Sequence, residues 1–302
     1  MHSSLIFDIK RYAINDGPGI RVTIFFKGCP LSCVWCHNPE SQSTSVQKMY
    51  TQEKCIGCEA CVEACEQNAC VLTPEGIVTS TDLCILCGKC AEACPTKATE
   101  MSGQKLAVQD IMEIISREKP LLDDSGGGVT FSGGEPLMHP ELLIPLLDGC
   151  GQMGLHRCVD TSGLASAKCL LEVAEKTDLF LYDLKMMDPD RHLEYTGVSN
   201  KSILSNLRLL AKADVDIIIR IPLIKDINDD NQNIQATAEF IAALPGKTPD
   251  VNLLPFHNLA AKKHKKMGLH YDSKHLDKPG PKRLDQIIET FADFGVIASI
   301  GG

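Results

Sequence analysis

No apolar run in this 302-residue sequence approaches the span of a membrane helix, and the first residues lack the basic and apolar regions of an export signal. The expected compartment is the cytoplasm, with no membrane partner. Positive charge is also in short supply: the formal net charge of -9 argues against a nucleic-acid footprint spread over the surface, leaving room only for a local patch. Coiled-coil heptads are missing, so no self-association signal is legible. A chain without an export signal has no use for a disulfide framework, yet this one holds 15 cysteines. In a compartment that keeps thiols reduced, that number points to metal or redox chemistry. The length suits one large α/β domain with room for a smaller module.

Three of the cysteines form Cys29-x3-Cys33-x2-Cys36, directly after the apolar run Val22 to Phe26 and directly before His37 and Asn38. Three thiolates hold three irons of a [4Fe-4S] cluster and leave the last iron free for a ligand, whereas four cysteines are usual where a cluster only transfers electrons. The alternative is a zinc site completed by His37, because zinc accepts Cys3His sets. The spacing resembles that of the radical S-adenosylmethionine superfamily. There the amino and carboxylate groups of the methionine part chelate the free iron, and an electron from the cluster cleaves the sulfonium to methionine and a 5'-deoxyadenosyl radical.

Eight further cysteines form an internal repeat: Cys55, Cys58, Cys61 and Cys65 recur 29 positions later as Cys84, Cys87, Cys90 and Cys94. Each half reads C-x2-C-x2-C-x3-C, the run that binds [4Fe-4S] clusters in bacterial two-cluster ferredoxins, where the fourth cysteine of each run serves the other cluster. This assigns Cys55, Cys58, Cys61 and Cys94 to one auxiliary cluster, and Cys84, Cys87, Cys90 and Cys65 to a second. Pro95 follows Cys94 as the pattern expects, but Glu66 follows Cys65, and nearby Cys70 is a candidate substitute ligand. Zinc knuckles fit less well, since they pair C-x2-C units across a longer gap. Cys70, Cys150, Cys158 and Cys169 lie in apolar or helical stretches, where free cysteine behaves as a small buried hydrophobe, and receive no function.

Polar, Ser/Gln-rich residues 42–49 read as a linker, so the cysteine block, residues 50–103, reads as an insertion into a domain made of residues 1–49 and 104–302. Outside it, strand-like runs at Val22–Phe26, Gly128–Phe131, Arg157–Thr161, Leu179–Leu184, Asp216–Ile221 and Val251–Pro255 alternate with helix-length segments at Val108–Arg117, Pro140–Gly151, Ala165–Glu175, Ser202–Ala213 and Asn231–Ala243. A last helix near Pro281–Phe294 and a short strand Val296–Ile300 complete the chain. Alternation of this kind implies βαβ units and a parallel sheet. The fold class is thus α/β: a partial (β/α)6 barrel carrying an inserted two-cluster ferredoxin-like domain.

The polar signatures fall at the C-terminal ends of those strands, where barrels of parallel strands carry their chemistry. Ser132-Gly133-Gly134-Glu135-Pro136 follows the second strand, Asp160-Thr161 ends the third, Asp183-Leu184-Lys185 the fourth, Arg220 the fifth, and His257 follows the sixth. Gly133 and Gly134 let backbone approach a ligand, with their amides available to the methionine end. Glu135 suits the methionine ammonium. Asp183 and Lys185 share a face, where the lysine neutralises the methionine carboxylate. Arg220 offers a fork of donors to carboxylate or ribose oxygens, and His257 and Asn38 suit ribose or adenine edges. Taken singly, each also has a bland reading: a turn glycine pair, a buried Asp-Lys ion pair, a surface arginine, a capping histidine.

Together with Asn15-Asp16-Gly17-Pro18-Gly19-Ile20-Arg21, Arg220-Ile221-Pro222 and Leu254-Pro255-Phe256-His257, these motifs resemble a glycyl radical enzyme activating enzyme over nearly the whole chain. The insertion is missing from the pyruvate formate-lyase activase. It is similar to that of activases serving choline trimethylamine-lyase, 4-hydroxyphenylacetate decarboxylase, benzylsuccinate synthase, vitamin B12-independent glycerol dehydratase, hydroxyproline dehydratase and isethionate sulfite-lyase. The resemblance implies three [4Fe-4S] clusters, S-adenosylmethionine, and a monovalent cation at Asp160, Thr161 and Asp183. It also brings Trp35, His37, Asn38 and Leu184 into the cofactor-binding set. Hydrogen is taken from a glycine in a C-terminal loop of the partner, a glycyl radical enzyme, with flavodoxin or ferredoxin as electron donor. Rival readings are a radical enzyme acting on a small molecule or other peptide, and a plain electron carrier. Lys262, Lys263, Lys265 and Lys266 around His264 read as a solvated face or as a docking patch for an acidic partner.

Overall fold

A computed structural model describes residues 3–301. Strand β1 (Ser3–Ala13) lies antiparallel to β2 (Arg21–Phe26). Then come β3 (Gln47–Tyr50), α1 (Ala60–Glu63), β4 (Cys70–Thr73), β5 (Gly76–Thr79), α2 (Lys89–Glu92), β6 (Thr99–Ser102) and β7 (Gln104–Ala107). The rest alternates: α3 (Val108–Asp124), β8 (Gly128–Gly133), α4 (Pro140–Gln152), β9 (His156–Thr161), α5 (Ala167–Ala174), β10 (Leu179–Asp183), α6 (Pro189–Thr196), α7 (Lys201–Lys212), β11 (Asp216–Leu223), α8 (Asn231–Ala242), β12 (Asp250–Pro255), α9 (Ala260–Lys266), α10 (Pro281–Asp293) and β13 (Ala298–Ile300).

The main sheet has the order β13-β12-β11-β10-β9-β8-β2-β1-β7. It is parallel from β13 to β2 and antiparallel at β1 and β7, so the six expected strands stand side by side in chain order. Among the described residues β13 and β7 do not pair, leaving the barrel incomplete. Its strands are near-continuous apolar runs, as expected where helices cover one face and the barrel interior the other. On β11, Ile217, Ile219, Ile221 and Leu223 turn to the helices, joining a core that includes Ile24, Phe131, Leu143, Phe180, Leu207 and Ile287, each at most 1% exposed. Burial of each such side chain is worth about 1.5–3 kcal/mol.

The inner face changes character along the strands. Cys158, Leu181 and Ile218 pack together low in the barrel. Two residues further along β9, β10 and β11 stand Asp160, Asp183 and Arg220, on the same face by strand geometry. An apolar floor and a polar mouth follow directly from this register. Below the floor, Arg21 is fully buried and donates to Thr130 Oγ1 (2.6 Å), Val129 O (2.7 Å) and Pro18 O (2.9 Å), while Asp16 accepts from Thr23 Oγ1 at 2.8 Å. The Asn15–Arg21 motif is thereby locked across the base of the barrel.

The cysteine-rich insertion leaves and rejoins the barrel through the antiparallel pair β3 and β6, registered Gln47↔Ser102 to Tyr50↔Thr99. Its 29-residue repeat is visible in the backbone: α1 recurs as α2 and β4 as β6. The left-handed residues Gly57, Glu59 and Asn68 recur as Leu86, Gly88 and Lys97. Strands β1 and β7 and helices α6 and α9 were not expected from the sequence.

Candidate active site

The triad loop is pinned from two sides. Gly28 N donates to Ser41 O (2.7 Å) and Cys29 N to Gln42 O (3.2 Å), closing the loop on itself; Ser32 N and Val34 N donate to Thr196 O (2.8 Å) and Tyr195 O (3.0 Å) at the end of α6. Helix α6 thus positions the cysteines. It was legible in Asp188-Pro189, an N-cap followed by proline at the first helical position, and in Gly197, left-handed at its C-terminus. Trp35 is 4% exposed and wedges the loop against Met186, Ile224, Ile227 and Phe256. Burial pushes the Cys29 and Cys33 thiols up to about 12, with Lys185 pulling the other way. Such thiols ionise where a metal supplies the positive charge.

All three cysteines line one cavity of about 220 Å³ at the barrel mouth, shared with Trp35, His37, Asn38, Gly133, Gly134, Asp160, Thr161, Asp183, Lys185 and Arg220. Lys185 Nζ donates to Asp183 Oδ2 at 2.6 Å; burial works against its charge, but Asp183 and the Cys33 and Cys29 thiols raise its pKa above the ordinary lysine value. Asp160 Oδ2 accepts from Ser132 Oγ at 2.6 Å and lies 3.5 Å from Arg220 Nη1. Burial lifts Asp160 to about 6 against the pull of Arg220. The buried Arg220 Nε has no partner, a donor left for whatever fills the cavity. The donor set is three soft thiolates facing an ammonium, a guanidinium and carboxylates, with no fourth cysteine on the wall. That set suits an iron-sulfur cluster with one free iron beside a zwitterionic ligand.

Several of the expected ligand-binding residues are engaged within the protein itself. Glu135 is fully buried, and its carboxylate accepts from Thr161 Oγ1 (2.6 Å), Ser162 N (2.9 Å), Ser162 Oγ and Leu137 N (3.2 Å). It lies off the cavity wall and braces the end of β9. The Gly134 amide is spent on Phe26 O at 2.8 Å, and a Cβ at Gly134 would stand 2.1 Å from Gly28 O. Gly133, at φ +116°, would put its Cβ 2.3 Å from Phe26 N. These glycines first of all let β8 close on the triad-bearing strand end. Leu184 is 2% exposed, sits in the apolar core and also lies off the cavity wall; its amide donates to Arg220 O. His257 is exposed and reaches the cavity only by stacking on His37, ring centroids 3.9 Å apart. Asn38 Oδ1 accepts from Lys263 Nζ at 2.6 Å.

A model of the radical SAM superfamily matches residues 87–241, a 4Fe-4S dicluster model residues 54–98, and a 4Fe-4S single-cluster model residues 15–73, which span the triad. The chain is 40% identical to the trans-4-hydroxy-L-proline dehydratase activating enzyme of Clostridioides difficile over 99% of both chains. It is 39% identical to the (2S)-3-sulfopropanediol dehydratase activating enzyme of Klebsiella oxytoca over 98% of this chain and 96% of that one. The chain belongs to the glycyl radical enzyme activating enzymes of the radical SAM superfamily. Among solved structures, a domain of the pyruvate-formate lyase-activating enzyme from Bacteroides vulgatus matches with TM-score 0.51 and 44% identity, covering 58% of this chain and 99% of that one. Membership in this family makes the chain an oxidoreductase that uses iron-sulfur clusters and S-adenosylmethionine, and closes the zinc reading of the triad. Among the described residues no helix is long and apolar enough to cross a membrane.

In this activating enzyme the insertion holds two smaller cavities. One is lined by Cys55, Cys58, Cys61 and Cys94, the other by Cys65, Cys84, Cys87 and Cys90, together with Cys70. Ala69 N donates to Cys65 Sγ and Ala98 N to Cys94 Sγ, both at 3.2 Å, so the two fourth cysteines are held alike. Glu66, where the repeat pattern has proline, pairs with Lys89 at the start of α2 and ties the halves together. Cys70 is buried and accepts from Lys48 Nζ at 3.1 Å; the repeat puts Thr99 at its place in the other half. The lysine-rich segment is α9, and it is not simply a solvated face: Lys263 Nζ lies 2.7 Å from Glu40 Oε1 behind the triad, and Lys265 Nζ 3.0 Å from Glu53 Oε1 on the insertion.

Proposed function

We propose that this chain activates a partner glycyl radical enzyme. It takes one electron and S-adenosylmethionine, removes one hydrogen atom from a glycine in the partner's C-terminal loop, and releases methionine and 5'-deoxyadenosine, leaving a glycyl radical on the partner. The observation that carries this reading is the convergence of Cys29, Cys33 and Cys36 with Asp183, Lys185 and Arg220 on one cavity. Those cysteines would hold a [4Fe-4S] cluster, whose chemistry is one-electron reductive cleavage of the sulfonium. Lys185 and Arg220 neutralise the methionine carboxylate and fix its orientation; the His37 ring and Trp35 close the cavity against water. Asp160, Thr161 and Asp183 are the candidate monovalent-cation ligands.

The eight repeated cysteines would hold two auxiliary [4Fe-4S] clusters, in a domain comprising residues 50–103 inserted between 1–49 and 104–302. Flavodoxin or ferredoxin is the proposed donor. An incomplete barrel leaves the side opening that a substrate loop requires. Anaerobic incubation with S-adenosylmethionine and dithionite, with and without a candidate glycyl radical enzyme, tests the proposal. The expected result is 5'-deoxyadenosine together with a glycyl radical signal that needs the partner and vanishes in Cys33→Ala. Stoichiometric turnover of a small molecule or free peptide, with no radical on any partner, would favour the other radical enzyme reading.

A further inference from the structure

The two cysteine cavities of the insertion come from one repeated sequence, yet one wall differs. Strand β3 serves both: Lys48 and Tyr50 are two residues apart, hence on the same face, and each reaches a different cavity. Lys48 Nζ donates to Cys70 Sγ (3.1 Å), on the wall of the cavity of Cys65, Cys84, Cys87 and Cys90, and to Thr79 Oγ1 (2.7 Å). These partners leave its charge unpaired by any carboxylate; it acts on Cys90 and Cys84 of this cavity and on Cys61 alone of the other's cysteines. Lys89 also borders that cavity, but its charge is matched by Glu66. The cavity of Cys55, Cys58, Cys61 and Cys94 has the Tyr50 ring in the equivalent wall, Glu59 at its rim, and no lysine or arginine among its lining residues.

Reduction adds one negative charge to a cluster, and a cation held against it in a medium poorer than water stabilises that state; net charge and hydrogen bonds around the sulfurs are the protein's levers on cluster potential. We propose that Lys48 makes the two auxiliary clusters electrochemically unequal, so that the one at Cys65, Cys84, Cys87 and Cys90 accepts an electron at higher potential than the one at Cys55, Cys58, Cys61 and Cys94. The inference rests on the two-cluster reading above. The step is addition of one electron to one oxidised cluster, with no bond made or broken.

The test uses the full chain with Cys29, Cys33 and Cys36 replaced by alanine, so that only auxiliary clusters remain. After anaerobic reconstitution, iron and sulfide are counted and a dithionite titration is followed by electron paramagnetic resonance. Two separable midpoints are expected. In Lys48→Gln and Lys48→Met the higher midpoint falls by roughly a tenfold change in the reduced-to-oxidised ratio, about 59 mV for one electron, the lower falls by less, and Lys48→Arg keeps both. A parent protein with less iron and sulfide than two clusters require would refute the two-cluster reading itself. With both clusters present, a single midpoint, neutral variants that shift both midpoints equally or shift neither, or variants that lose one cluster outright, would overturn the role of Lys48 alone.

Discussion

The barrel and the insertion both gather thiols, but they stand on different foundations. In the barrel the triad loop hangs from a sheet packed under a large apolar core, and its anchors are backbone hydrogen bonds and α6. In the insertion the buried cluster is itself made of cysteines: Cys61, Cys70 and Cys90 with Ile77, flanked by Tyr50, Cys55, Cys65 and Leu72. Four more apolar side chains there, Ile56, Val71, Val78 and Ile85, face solvent at more than half their surface. A module so small with so little apolar burial needs metal to hold it. The barrel cysteines are set on a finished apolar scaffold; the insertion's cysteines are its core.

Removing the metal should separate the two regions most sharply. Anaerobic chelation of a reconstituted protein is expected to abolish hydrogen-exchange protection in β4, β5, α1 and α2 while β8 to β12 keep theirs; equal loss in both would erase the contrast. The reverse attack is Gly134→Ala, whose Cβ would meet the Gly28 carbonyl at 2.1 Å. It is expected to cost the barrel about 3 kcal/mol or more in denaturant unfolding, because backbone has to move, without altering iron bound by the eight repeated cysteines. Glu135→Gln should lower barrel stability by about 1–3 kcal/mol, since an amide replaces one of the two acceptor oxygens that the Thr161 and Ser162 donors share.

A smaller effect is expected from pH. Burial, His257 and Lys263 hold His37 down at about 4, below the 6.5 of a free histidine, so the folded barrel binds fewer protons than the unfolded chain between those values. The stability contributed by its neutral ring is present above pH 6.5 and lost as pH falls towards 4. His37→Gln should flatten the melting temperature across that window. The smallest change belongs to Lys265→Gln, which breaks an exposed, solvent-screened pair with Glu53 between the two regions and should leave the denaturant midpoint where it is.

The parallel sheet was legible because its strands and helices differ in length and punctuation, and Ser132, Asp160, Asp183 and Arg220 follow from strand ends. Strand β1 was not: register shifts at Ile6/Asp8 and Lys10/Ala13 break its alternation, so a period-two pattern does not persist. Helix α6 buries only His192 and Thr196 and shows no apolar stripe, so only its caps announced it. The role of Glu135 depends on hydroxyls that reach it from another strand, a contact that local pattern does not encode.

The pairing of Gln47–Tyr50 with Thr99–Ser102 brings the two chain crossings of the insertion side by side. β7 resumes the main sheet at Gln104, two residues past that pair. The module therefore hangs on a single stem, as a plug hangs on its two-wire cord. A tight turn joining Tyr50 to Thr99 would excise it and leave every strand of the barrel in place. A stem of that kind is portable: one lineage can gain the module, shed it or trade it for another without renegotiating how the barrel folds.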